Sequence, residues 1–199
     1  MLFRSATAVG QQKTTVLADG SEIILNTNSQ IKVDYGDGYR QVHLLQGEAL
    51  FTVAKNAERP FRVYAGNGRI EALGTAFSVY LDGADVNVTV TEGSVSLASM
   101  NPSRPQVAQP PASSPLQPEA AGSAPDVNHE LMQSLGTLAA GQVATIRSSV
   151  ARPTVDSVAV LETIEAIAPE ELAQRLAWRE GILDRKSTRL NSSHLFISR

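Results

Sequence analysis

The side chains able to do chemistry in this chain are few, and their spacing suits little of it. Three histidines occur, His43, His129 and His194. His43 lies in Val42-His43-Leu44-Leu45, a strand-like run, and reads as a side chain on an outer strand face. One histidine cannot supply a His-x-His pair, so a cupin-type oxygenase site lacks its ligands, and with His129 at the edge of a Pro-rich stretch and His194 near the C-terminus no zinc set is suggested. The acid pairs Asp34 with Asp37 and Asp82 with Asp85 flank glycine turns, where aspartate hydrogen-bonds nearby backbone. A calcium loop needs a denser series of oxygen ligands. A glycosidase needs two carboxylates across a cleft, and nothing in the sequence arranges them. No Gly-x-Ser-x-Gly elbow is present. Gly36-Asp37-Gly38 and Gly66-Asn67-Gly68 are too short for a dinucleotide fingerprint, and no helix pattern follows them. Asn87-Val88-Thr89 matches a glycosylation triplet but falls inside an expected strand. The chain has no cysteine, which removes disulfides, thiol nucleophiles and cysteine metal sites while leaving the compartment open. No catalytic, metal-ligating or cofactor-binding set emerges. The expectation is a binding or signalling protein that is not an enzyme and carries no cofactor.

What remains for the sequence to position is a recognition surface. Tyr35, Tyr39, Tyr64 and Tyr80 could stack on sugars, although ordinary strand packing is the commoner account of such residues. Of the 199 residues, 42% are hydrophobic and 19% charged, enough apolar material for a packed core. The net charge of −3 argues against a nucleic-acid partner, which would need a basic surface. No run of 18 uninterrupted apolar residues spans a bilayer, and no charged n-region leads into an apolar h-region.

Residues 13 to 98 alternate with a period of two. Ile31, Val33 and Tyr35 alternate with Lys32 and Asp34, Ala49, Phe51 and Val53 with Leu50 and Thr52, and Phe77, Val79 and Leu81 with Ser78 and Tyr80. Val86, Val88 and Val90 continue the series, as do Val95 and Leu97. Such alternation puts one set on a core face and the other outside. Glycine turns at Asp19-Gly20, Gly36-Asp37-Gly38, Gly66-Asn67-Gly68 and Asp82-Gly83 separate strand-sized pieces, and Gly47, Gly74 and Gly93 add further breaks. The fold class this predicts is all-β: short, mostly antiparallel strands forming a sandwich or β-roll, with one C-terminal helix. Phe51, Phe61, Phe77, Val79 and Val88 are expected in one core, with Leu45 and Phe51 both pointing inward around Gly47.

Seven of the ten prolines lie between Pro102 and Pro125, in a Pro/Ala/Ser-rich stretch that reads as an insertion over residues 101–135. Leu138 to Ile146 reads as a turn and one more strand. Pro169 to Gly181 reads as a helix, with proline and Glu170 and Glu171 in its first turn, Glu171 and Arg175 spaced i, i+4, and Trp178, the one tryptophan, in its last. From Asp184 to Arg199 the character changes to four basic residues and one acid. That stretch reads as a non-native tail and is excluded from fold reasoning.

Taken in order, several of these pieces resemble one family. Thr7-Ala8-Val9-Gly10, Leu17-Ala18-Asp19-Gly20-Ser21 and Leu25-Asn26-Thr27-Asn28-Ser29 resemble the opening of the FecR family of anti-sigma regulators. So do the run from Val42 to Lys55, Arg59-Pro60-Phe61-Arg62-Val63, Ala72-Leu73-Gly74-Thr75-Ala76-Phe77-Ser78-Val79 and Val90-Thr91-Glu92-Gly93-Ser94-Val95. Leu138-Ala139-Ala140-Gly141-Gln142 and the run from Leu176 to Leu183 resemble the segments that follow. The structural fingerprint is Asp19, Gly20, Gly47, Phe51, Gly74, Thr75, Phe77, Gly93 and Trp178, turn glycines and core aromatics that speak to fold before function. The resemblance implies a periplasmic module of a single-pass inner-membrane protein. It implies two partners: a sigma factor, reached through a cytoplasmic segment absent from this chain, and the signalling domain of a TonB-dependent outer-membrane transporter, usually in iron-siderophore uptake. Contact with the membrane would come only through a missing transmembrane helix. On this reading residues 1–6 are a juxtamembrane remnant, 7–148 the β domain with its insertion, and 149–183 a connector and helix leading to a missing secretin-like domain. The competing reading is a carbohydrate-binding or other ligand-binding β domain.

Overall fold

One strand is long enough to belong to two sheets, and the architecture follows from it. The computed structural model describes residues 2–36, 38–100, 132–149 and 158–180. Its strands are β1 (Leu2–Ala6), β2 (Lys13–Val16), β3 (Glu22–Leu25), β4 (Gln30–Tyr35), β5 (Arg40–Thr52), β6 (Phe61–Ala65), β7 (Gly68–Ala72), β8 (Ala76–Asp82), β9 (Asp85–Glu92), β10 (Ser94–Met100), β11 (Met132–Ala139), β12 (Gln142–Ser149) and β13 (Val158–Ala166). A helix, α1 (Pro169–Arg175), and a 3₁₀ turn over Ala177–Glu180 follow. The first half of β5 pairs with β4 and β6, and its second half with β3 and β8. This gives a first sheet in the order β11-β10-β7-β6-β5-β4-β1 and a second in the order β2-β3-β5-β8-β9-β12-β13. Every pairing is antiparallel except β5 with β6. The all-β class with a C-terminal helix is what the alternation predicted.

The two sheets share one apolar core. Phe51 and Phe77 from the second sheet stack at 5.2 Å, and Phe61 from the first meets Phe51 edge-on at 6.0 Å. Val79 and Val88 join the same cluster, so the five residues expected together are buried together. Gly47 sits where β5 passes from one sheet to the other, at φ +76. Its conformation disfavours side chains, and a Cβ there would come within 2.7 Å of the Asn28 carbonyl oxygen. The bend changes the phase of the strand. Leu44 faces the core and Leu45 is exposed, which corrects the expectation that Leu45 points inward.

Four element boundaries differ from the sequence reading. Residues 2–6 of the expected juxtamembrane remnant form β1, which pairs with β4 because Phe3 and Ser5 alternate inward against Val33 and Ile31. The strand expected at Leu138–Ile146 is a hairpin of β11 and β12 turning at Ala140-Gly141, and β11 begins at Met132, inside the stretch assigned to the insertion. The expected connector holds β13, paired along the length of β12. The helix is shorter than Pro169–Gly181, because Leu176, at φ −104, ends it and tightens the chain into the 3₁₀ turn. Asp37, most of the Pro-rich insertion, His129, Gly181 and the tail with His194 lie outside the described residues.

Candidate functional site

The outer face of the second sheet is where the C-terminal segment meets the β5 bend. Leu50 points outward from β5 and is nevertheless buried, because Leu176 and Trp178 cover it together with half-buried Ile24 and Leu172. Helix α1 carries acids in its first turn and Arg175 in its last, and Arg175 donates to Glu171 at 3.0 Å. The Gln12 amide donates to the Trp178 carbonyl at 2.6 Å, which ties the 3₁₀ turn to the N-terminal region.

At the centre is Glu48, next to Gly47. Its carboxylate accepts from Asn26 Nδ2 at 2.8 Å, from Ser78 Oγ at 3.0 Å and from Trp178 Nε1 at 3.1 Å. Its backbone amide donates to Ser29 Oγ at 2.9 Å, and its carbonyl accepts from the Asn26 amide. One acid therefore joins the turn after β3, strands β5 and β8, and the C-terminal 3₁₀ turn. Burial pushes the Glu48 carboxyl above its ordinary value, and the hydrogen bonds from Asn26, Ser78 and Trp178 offset only part of that. Two clefts of about 320 and 460 Å³ flank the site and share Glu48 and exposed Tyr80 in their walls. Arg175 closes one, and Asp82 and the Asn26–Asn28 turn close the other.

A second polar centre lies inside the core. Arg40 is fully buried. Its Nη1 donates to Asp19 Oδ2 at 2.7 Å and to the Ala54 carbonyl at 3.0 Å, and its Nε donates to the Arg59 carbonyl at 2.6 Å. The guanidinium also lies 5.6 Å from the centroid of the Phe61 ring. Burial alone would raise the Asp19 carboxyl, but hydrogen bonds from Ser21 and Arg40 outweigh it and hold the group below its usual value. Tyr35, half-buried beside it, is pushed up by burial and by the Asp19 charge. A buried charge is tolerated only when paired and hydrogen-bonded, and this one is both. The Asp19-Gly20-Ser21 turn thus anchors the loops around the start of β5.

The fingerprint residues separate into groups. Phe51 and Phe77 are in the core, Asp19 and Gly20 in the Arg40 anchor, and Gly47 and Trp178 on either side of Glu48. Gly74, Thr75 and Gly93 meet at another corner. A Cβ on Gly74 would fall 2.9 Å from Lys55 Cβ, and one on Gly93 would fall 2.8 Å from Thr75 Cγ2. The buried Thr75 hydroxyl has no hydrogen-bond partner among the described residues. Arg40 and Glu48 were not singled out from the sequence. Arg40 was visible as a charge in phase with Val42 and Leu44, whereas Glu48 falls just past the phase change and has no such signal.

The tyrosines do not form a shared platform. Tyr64 stacks on His43 at 4.9 Å, Tyr35 is half-buried at Asp19, exposed Tyr39 lies in the turn between β4 and β5, and exposed Tyr80 is on β8 of the second sheet. His43 is held below its ordinary pKa by burial and by the Lys32 charge, against the opposing pull of Asp34. Among the described residues no group of three metal-capable side chains gathers, and no helix is long and apolar enough to cross a membrane.

The arrangement is that of a sheet-rich scaffold with a polar anchor and a clasped C-terminal segment. Residues 4–96, from β1 into β10, match the family model described as FecR protein. The fold is shared with two crystal structures of a candidate anti-sigma factor from Parabacteroides distasonis. One aligns at 18% identity and TM-score 0.59 over 91% of this chain, the other at 18% and 0.58 over 90%. The chain spans 66% and 65% of the length of those structures. No curated protein matches the chain.

Proposed function

We propose that this chain is the periplasmic signal-transduction module of a FecR-like transmembrane anti-sigma regulator. In this reading it relays the state of a TonB-dependent outer-membrane transporter, in iron-siderophore uptake, to an extracytoplasmic-function sigma factor. The observation that carries the proposal is the FecR match over residues 4–96, which coincides with the β1–β10 scaffold. The anti-sigma description of the two structural neighbours supports it. The geometry suits a relay without catalysis. Glu48 joins β5, β8 and the turn after β3 to the C-terminal segment, so a pull on that segment is felt at the β5 bend. The expectations that residues 1–6 adjoin a membrane helix, and that relatives continue beyond Leu183 into a secretin-like domain, belong to the same proposal, as does the non-native reading of residues 184–199. The carbohydrate-binding reading is not carried forward, because the four tyrosines do not share a face.

The test is genetic. Deleting the parent gene should change transcription of the neighbouring sigma regulon and remove its response to siderophore. A regulon unchanged with and without siderophore would overturn the proposal.

A further inference from the structure

The outer face of the first sheet carries a row of cations that the scaffold itself does not use. Strand register places Arg4 opposite Lys32, Lys32 opposite His43, His43 opposite Tyr64, and Tyr64 opposite Arg69. All five sit at positions between inward-facing residues of β1, β4, β5, β6 and β7, so they share the outer face. Arg4, Lys32 and Arg69 form no ion pair among the described residues. The Arg69 Nε is buried and has no hydrogen-bond acceptor there, an unsatisfied donor on a charged group. Between the cations, His43 and Tyr64 stack at 4.9 Å with their rings 17° apart, a flat apolar step in the middle of the row. The chain as a whole is net negative, so this row is a local reversal of sign.

We propose that this row is a docking surface for an acidic, extended segment of another protein, laid across the strands. Lys32 and Arg69 are three strand spacings apart, about 14 Å, and about four residues of extended chain cover that distance. The fitting segment therefore has carboxylates at both ends and an apolar side chain in the middle to lie on the His43–Tyr64 step. A narrow occupant is favoured over an anionic bilayer by the adjacent row. There Asp34 faces outward, and Arg62 is already paired with Glu71 at 2.9 Å. A flat anionic membrane would meet those carboxylates as well, whereas a single segment reads the cationic row alone. The surface is separate from the Glu48 site, on the other sheet, and stands or falls independently of which signal the protein relays.

The test uses the full chain and a synthetic peptide, Glu-Glu-Thr-Leu-Thr-Glu-Glu, with its all-glutamine counterpart as control. Amide chemical-shift titration detects weak binding. The acidic peptide should shift the resonances of Lys32, His43, Tyr64 and Arg69 in a salt-sensitive way, and the glutamine peptide should not. Replacing Arg4, Lys32 and Arg69 together by glutamine should weaken binding at least tenfold. Arg147→Gln on the second sheet, where Arg147 pairs with Asp85, should leave it unchanged. Absence of shifts along the row, or equal loss in Arg147→Gln, would overturn the proposal. Binding to phosphatidylglycerol vesicles without binding to the peptide would overturn it in favour of a membrane surface.

Discussion

The two sheets bury the same core from opposite sides but treat their outer faces differently. On the second sheet, apolar Leu50 is covered by Leu176 and Trp178, and half-buried Glu48 accepts from the Trp178 indole. On the first, the outward positions are Lys32, His43, Tyr64 and Arg69, and no helix covers them among the described residues. The difference comes from the bend at Gly47. Before it, β5 alternates simply, with Val42 and Leu44 inside and Gln41 and His43 outside. After it, Ala49, Leu50 and Phe51 are buried in succession, because both faces of that half are covered. A strand that is apolar on both sides needs a second layer, and the C-terminal segment supplies it.

The largest effect should be common to both faces. Phe77→Ala removes a fully buried ring from the shared core and should cost about 3–5 kcal/mol in denaturant unfolding. A melting curve unchanged by that substitution would contradict the packing of the two sheets against each other. Trp178→Ala should separate the faces. It should cost about 2 kcal/mol and speed tryptic cleavage after Arg175 and Arg179, while β1 to β10 stay resistant. Cleavage as slow as in the wild type would mean that the clasp does not hold the C-terminal segment.

Glu48→Gln gives a smaller effect, whose sign depends on pH. Burial holds the Glu48 carboxyl above its ordinary value, so the folded protein binds that proton more tightly than the unfolded chain does. The resulting stabilisation is complete below the ordinary glutamate range and is lost as pH rises through the raised value. Glutamine keeps an acceptor for Trp178 without the buried charge. The variant should melt with the wild type in acid and progressively above it toward neutral pH. A melting difference that shrinks as pH rises would reverse the assignment. The smallest effect belongs to the first sheet. Lys32→Gln should change stability by no more than about 0.5 kcal/mol, because the side chain forms no ion pair among the described residues. A larger destabilisation would show that the row is part of the scaffold.

The fold was readable to the extent that side-chain alternation is a local property. Ile31 with Val33, Phe77 with Val79, and Val86 with Val88 each point inward as their period of two requires, and the turns at Gly66-Asn67 and Gly83 fall between strands. Phe3 and Ser5 alternate as well, but β1 is too short to be recognised without its partner β4. The site was much less readable. Trp178 was singled out as the sole tryptophan, yet nothing in its neighbourhood points to Glu48, 130 residues earlier. Arg40 is in phase with inward-facing Val42 and Leu44, but only the fold brings Asp19 and three loop carbonyls around its guanidinium.

By itself the sequence determined what neighbouring residues decide between them: strand periodicity, turn positions, an aromatic core and the lack of a catalytic or metal-ligating spacing. The tertiary structure alone decided which strands share a sheet, that β5 serves two of them, and which outer face is covered. It also decided where the buried charges find partners. Periodicity acts over a few residues, whereas register, phase change and charge pairing depend on contacts between segments far apart in the chain, and those form only when both sheets close on one core.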